Sequence, residues 1–169
     1  MKNTREAREI IKKLDLKPHP EGGYFRETYR SKEEIEEAHL PGFDSKRNFS
    51  TCIYFLLTSS TFSAFHKIKQ DEIWHFYDGA PIRLHLISEE GEHSEVIIGK
   101  NFSAGEVPQF VVPGGYWFAA TVAEEDSYTL VGCTVSPGFD FEDFILGERK
   151  ELQKKFPQHH KLISHLTHS

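Results

Sequence analysis

The chain has 169 residues, 38% hydrophobic and 27% charged, the balance of a globular domain large enough to bury a core rather than of a disordered or fibrous chain. Its formal net charge of −6, without a run of Lys or Arg, excludes the basic face that a nucleic-acid backbone requires. No apolar run approaches the ~20 residues of a membrane span, and the amino terminus is charged from Lys2 onward without the apolar core of a leader, so the expected setting is cytoplasmic with no membrane contact.

Residues 3–15 read as an amphipathic helix. Asn3 can cap it with Glu6 as the reciprocal partner, and Ala7, Ile10, Ile11 and Leu14 form one apolar stripe. Pro18 and Pro20 forbid its continuation. Glu21, Gly22 and Gly23 make a turn. Residues 24–30 then alternate without a clean apolar side: Tyr24, Arg26, Thr28 and Arg30 face one way, Phe25, Glu27 and Tyr29 the other, the pattern of an edge strand. The stretch 31–46, acidic around Glu33, Glu34, Glu36 and Glu37, reads as a solvated insertion holding at most one helical turn.

A buried strand is expected at 50–57. Two short strand-forming runs then flank a polar corner from Lys69 to Asp71, and Gly79 breaks the second run. Residues 82–87 alternate, with Ile82, Leu84 and Leu86 inward and Arg83 and His85 outward, and 96–98 return the chain. Residues 105–118 read as another hairpin turned at Pro113-Gly114-Gly115, and 128–135 as a closing strand. Cys52 and Cys133, each inside an apolar strand, read as buried free thiols. Leu152 and Phe156 mark one side of a last helix at 148–156, and the tail with His159, His160, His165 and His168 reads as frayed. Many evenly spaced strands with Gly, Pro, Asp and Ser turns predict an all-β jelly roll or barrel.

The stretch 65–79 resembles the first cupin motif, in which a His, a second His two residues on, a Glu and a Gly line a barrel mouth. His66, Glu72 and Gly79 stand at the first His, the Glu and the Gly, whereas Ile68 stands where the second His would be. In the second motif, Pro-x-Gly-x-x-His, Pro113 and Gly115 match and Phe118 takes the His position. From His19-Pro20-Glu21-Gly22-Gly23-Tyr24 to Pro137-Gly138-Phe139-Asp140-Phe141 the chain resembles the cupin-five family, usually labelled predicted sugar epimerase. That resemblance implies one cupin-type double-stranded β-helix, with a helix over 1–18, the barrel over 19–137, and a rim loop, helix and tail over 138–169. It also implies a homodimer, for which the open strand 24–30 offers an edge.

His66 and Glu72 are the candidate catalytic pair, the carboxylate orienting the imidazole for proton transfer next to a carbonyl. A cupin metal ion needs three or four imidazole and carboxylate ligands. With Ile68 and Phe118 in place, two remain, and no resident metal or other cofactor is expected unless a bulge turns His75 inward. Tyr24, Arg26, Trp74, His75, Gln109, Trp117, Phe118 and Asp140 are the candidate ligand contacts, aromatic rings and a few polar groups suited to a sugar-like or planar molecule. Two functions fit: an isomerase or epimerase acting on a sugar or sugar nucleotide, and a non-catalytic module holding a carbohydrate or nucleobase-like ligand. A metal-dependent oxygenase or isomerase is a third reading, tied to the bulge.

Overall fold

The computed structural model describes residues 2–168, with the backbone alone for residues 2–4. Helix α1 (Lys2–Lys13) lays Ala7, Ile10 and Ile11 on Leu56, Tyr128 and Tyr24 of the barrel wall. Its cap at Asn3 lies outside the described side chains. The helix ends at Asp15, which takes a left-handed φ of 51°, while Leu16 N–H returns to Ile11 O at 2.9 Å and Asp15 N–H to Lys12 O at 3.3 Å. This is a Schellman-type stop, with Leu16 buried beside the helix it terminates.

Strands β1 (Lys17–Pro18), β2 (Tyr24–Arg30), β3 (Glu34–Ile35) and β4 (Arg47–Asn48) precede the long strands of the barrel. These are β5 (Thr51–Thr58), β6 (Ser63–Lys67), β7 (Glu72–Gly79), β8 (Ile82–Ile87), β9 (His93–Ile98), β10 (Gln109–Val112), β11 (Trp117–Val122) and β12 (Tyr128–Val135). The short β13 (Ile145–Leu146) follows them, then the helices α2 (Arg149–Lys155) and α3 (His160–His165). A six-stranded sheet runs β1-β2-β5-β12-β7-β10 and faces a five-stranded sheet ordered β13-β6-β11-β8-β9. Every pairing within the two sheets is antiparallel, and the fold is the jelly roll expected of this pattern. The insertion carries β3 and a turn of 3-10 helix at Glu37–His39, and β3 pairs with β4 directly after it.

Both apparent hairpins prove to be corners between sheets. Strand β6 belongs to the five-stranded sheet and β7 to the six-stranded one, and β10 and β11 part in the same way. The polar turn at Lys69 to Asp71 therefore carries the chain across the sandwich instead of reversing it within one sheet. Alternation along each strand sends Phe55, Leu57, Trp74, Leu84, Leu86, Phe118 and Val131 into one core between the sheets. Each such fully buried side chain contributes about 1.5–3 kcal/mol relative to exposure.

The carboxy-terminal tail is ordered, contrary to the frayed end expected from its histidines. Leu152, Phe156, Ile163 and Leu166 form an apolar face that buries Phe65, Ile87 and Trp117 on the outside of the five-stranded sheet. Beyond α3 the chain returns to the first turn, where the His168 ring stacks on Phe62 and its Nε2 meets Glu21 O at 3.2 Å. Both cysteines are free thiols. Cys133 is buried, while Cys52 is only partly so, because it faces the outside of the sheet near Thr134. No helix among the described residues is long and apolar enough to cross a membrane.

Candidate functional site

A cavity of about 230 Å³ opens between the two sheets at one end of the barrel. Its polar side chains include His19, Glu21, His66 and Glu72; Phe25, Phe55 and Trp74 form walls, and Phe139, Phe141 and Phe144 roof it from the loop after β12. The roof is pinned from below. Arg47 donates from Nε and Nη2 to the two Asp143 oxygens at 2.8 Å each, and Gln70 Nε2 donates to Asp143 Oδ2 at 2.8 Å. Arg30 donates to Phe139 O at 2.9 Å and holds Glu27 through two further bonds of 2.8 Å.

Glu21 reaches the floor because the turn that carries it is compressed against the barrel. Gly22 and Gly23 take φ of 111° and 73°, and a Cβ on Gly22 would run into Phe62 O, so only glycine fits there. Ala64 N–H donates to Glu21 O at 2.7 Å, tying the turn to β6. The Glu21 carboxyl then accepts Ser63 Oγ–H at 2.7 Å on Oε1, while its Oε2 lies 3.0 Å from His66 Nε2 and 3.4 Å from His19 Nδ1.

The proton positions follow from the partners. His66 Nδ1 lies 2.7 Å from Ala64 O, which only accepts, so Nδ1 carries hydrogen and neutral His66 turns a bare Nε2 toward Glu21. His19 Nδ1 accepts the Glu21 backbone N–H at 3.2 Å, placing the hydrogen of neutral His19 on Nε2. Burial lowers the His66 pKa, against the pull of Ala64 O and Glu72, and burial raises that of Glu21, against His19 and Ser63. Both directions favour a carboxylic acid donating to a neutral imidazole, a dyad that shares one proton.

Glu72 opens β7 and accepts Trp74 Nε1–H on Oε2 at 3.2 Å; its Oε1 has no hydrogen-bond partner among the described residues. Burial pushes its pKa up to about 7, with the Glu21 carboxyl adding to the effect and His66 and Trp74 opposing it. The cavity thus holds a carboxyl poised near neutrality beside a Glu21–His66 pair in which burial works against the charged form of each member.

Of the residues expected from sequence, His66, Glu72, Trp74 and Asp140 line the cavity. Glu72 is not the hydrogen-bonded partner of His66; Glu21 takes that place. Phe118 is the cross-strand neighbour of His66 and packs on its ring at 4.1 Å, backing it rather than lining the space. Tyr24 packs under α1, and Arg26 lies over the Tyr54 ring on the outer face. His75 also faces outward, its Nε2 3.0 Å from Thr134 Oγ1 and its Nδ1 accepting Gln109 Nε2–H at 3.2 Å. The bulge in β7 lies beyond it, opposite Leu130 and Val131, and so does not reverse it. Trp117 is buried under the carboxy-terminal helices with Lys67 Nζ 5.0 Å above its ring. Asp140 Oδ1 accepts Glu142 N–H at 2.9 Å and caps the rim turn.

Sequence reasoning missed Glu21, His19 and Arg30. Glu21 was visible only as part of a turn, although the paired glycines after it signal a close backbone approach. Arg30 reaches the cavity because a register shift in β2 between Glu27 and Tyr29 moves it onto the face of Phe25 and Glu27.

The cavity residues do not form a cupin metal centre. Ile68 and Phe118 supply no lone pair, both His66 nitrogens have protein partners, and among the described residues His19, Glu21, His66 and Glu72 do not bring three donor atoms within 4.8 Å of one another.

The family described as Cupin superfamily (DUF985) matches residues 8–147. An uncharacterized protein of Saccharomyces cerevisiae is 38% identical over 152 residues, covering 83% of this chain and 75% of its own. The structure of a hypothetical protein from Leishmania major superposes with a TM-score of 0.88 at 35% identity, covering 96% of this chain and 99% of that one. Oxalate decarboxylase from Bacillus subtilis shares the fold alone, with a TM-score of 0.55 at 17% identity over 90% of this chain and 37% of that chain.

Proposed function

The chain belongs to the cupin superfamily, in the family described as DUF985, and on that footing we propose that it is an isomerase-type enzyme that moves a proton at a carbon next to a carbonyl in a neutral, single-ring, sugar-like metabolite. The observation that supports this reading best is Glu72, a carboxyl held near 7 by burial in the cavity, beside a second titratable pair, Glu21 and His66. A general base works best when its pKa lies near the operating pH, and a second titratable group in the same cavity can take the acid role.

In this reading ionised Glu72 takes the proton from the substrate carbon. The Glu21–His66 dyad gives its shared proton to the carbonyl oxygen as the enediol forms. Return of one proton to carbon and one to the dyad completes the exchange, so nothing is consumed. The size of the cavity, below the roughly 300–1,000 Å³ of clefts that hold drug-sized ligands, favours one ring. Its charge favours a neutral one, because Arg30 is already held by Glu27, Asn48 and Phe139 O and is not free for a phosphate. A sugar nucleotide therefore fits less well than a free sugar. The rings of Phe25, Phe55 and Trp74 supply flat apolar walls.

The test is incubation of neutral aldoses and ketoses with the protein in deuterated water, followed by proton NMR. Exchange at the carbon beside the carbonyl, reduced about 10²–10⁴-fold in Glu72→Gln, is the expected result for a lost general base. A sugar that raises the melting temperature yet never exchanges would overturn catalysis and leave a binding module.

A further inference from the structure

A second cluster lies on the outer face of the five-stranded sheet, apart from the cavity. Strands β8 and β9 pair with His85 directly opposite Glu95 and Ile87 opposite His93. Alternation puts His85, His93 and Glu95 on one side of this hairpin, while Leu84 and Leu86 fill the core on the other. Their donor atoms converge. His85 Nδ1 stands 3.3 Å from His93 Nε2 and 3.3 Å from Glu95 Oε1, and the three donor atoms lie within 4.8 Å of one another. Arg83 Nη1 donates to the other carboxylate oxygen, Glu95 Oε2, at 2.8 Å and so aims Oε1 at the imidazoles. His159 borders the cluster with its ring 5.5 Å from that of His93, its own Nε2 committed to Gly91 O at 2.7 Å.

We propose that His85, His93 and Glu95 bind a divalent transition-metal ion of the zinc type, with a fourth position open to water. Zinc bonds to imidazole nitrogen and carboxylate oxygen are about 2.0–2.1 Å long, which places tetrahedral ligand atoms about 3.3–3.4 Å apart. The hairpin sets two of the three edges at that spacing without a change of backbone. A cation takes the lone pairs of all three atoms at once, where a single hydrogen can join only His85 Nδ1 and His93 Nε2. Two imidazoles and one carboxylate suit zinc, cobalt or nickel, whereas magnesium and calcium favour all-oxygen sets. The Arg83 contact is the kind of outer support that orients a ligating carboxylate. Because both strands must be paired for the three atoms to meet, binding stabilises the folded hairpin.

The experiment strips the full chain with a chelator, then titrates it with zinc chloride against a chromogenic chelator and, separately, with cobalt(II). The expected result is one equivalent per chain with a dissociation constant on the order of micromolar or tighter, and cobalt bands of tetrahedral intensity. His93→Ala and Glu95→Gln should each weaken uptake about tenfold or more, with far-UV circular dichroism confirming the fold of each variant. The tail variant His165→Ala/His168→Ala should bind as the parent does. Absence of saturable uptake by the parent overturns the proposal, as does unchanged affinity in a folded His93→Ala or Glu95→Gln variant, or loss of uptake in the tail variant alone.

Discussion

Glu72→Gln isolates the charge on the cavity floor, because glutamine keeps the shape of the side chain and an acceptor oxygen for Trp74 Nε1. In the folded chain the carboxyl is raised from 4.5 to about 7, chiefly by burial. A group raised on folding contributes stability that is whole below about 4.5 and is lost as pH climbs through about 7, since the unfolded chain releases its proton first. The separation of about 2.5 pH units, at 1.36 kcal/mol each, amounts to at most ~3.4 kcal/mol, of which under ~1 is lost at pH 5 and ~3 by pH 7. Water admitted through the cavity mouth makes this an upper figure. Glutamine does not titrate, so the unfolding free energy of the variant minus that of the parent should rise by ~2 kcal/mol between pH 5 and pH 8. Urea denaturation of both proteins at fixed pH values across that range measures it. A difference that stays flat, or that falls with pH, refutes the placing of Glu72 in a low-dielectric cavity.

Further outcomes follow from the same geometry. Glu21→Ala leaves Ser63 Oγ and His66 Nε2 buried without their partner and should cost about 2–4 kcal/mol in chemical denaturation; a loss below about 1 kcal/mol would show that the turn does not hold the dyad. Arg47→Ala strands the Asp143 carboxylate, which is buried with the guanidinium that faces it. It should cost about 3–5 kcal/mol and expose the rim loop to proteolysis, whereas a stable variant with a protected loop would remove Arg47 as its anchor. Strand β1 pairs with only Tyr24 and Phe25 of β2, so the rest of that edge is available to a second copy, and light scattering at micromolar concentration should give twice the chain mass. A monomer would leave the edge without that role.

The jelly roll was legible because alternation, glycine breaks and spacing act locally, as in β8, where Ile82, Leu84 and Leu86 turn inward. The two corners were not. A polar turn between two strand-forming runs looks the same whether the strands pair with each other or separate into different sheets, and only the remaining strands decide. The tail was misread for a different reason: its histidines drew attention from Leu162, Ile163 and Leu166, whose spacing gives the apolar face that docks on Phe65 and Trp117. At the site, His66 and Glu72 were legible from the motif, but their relation was not. Glu21 joins His66 through a contact between distant parts of the chain, and Arg30 enters the cavity through a one-residue register shift that alternation cannot foresee.

The most direct test of proton transfer in the cavity is the pH profile of hydrogen–deuterium exchange at the substrate carbon, for whichever neutral sugar raises the melting temperature. The rate per enzyme should climb with pH through about 7 as Glu72 ionises and then level off. Glu72→Gln should abolish that climb and slow exchange about 10²–10⁴-fold. Exchange that proceeds at the parent rate in Glu72→Gln, or that shows no inflection near neutrality, would contradict the assignment of Glu72 as the base.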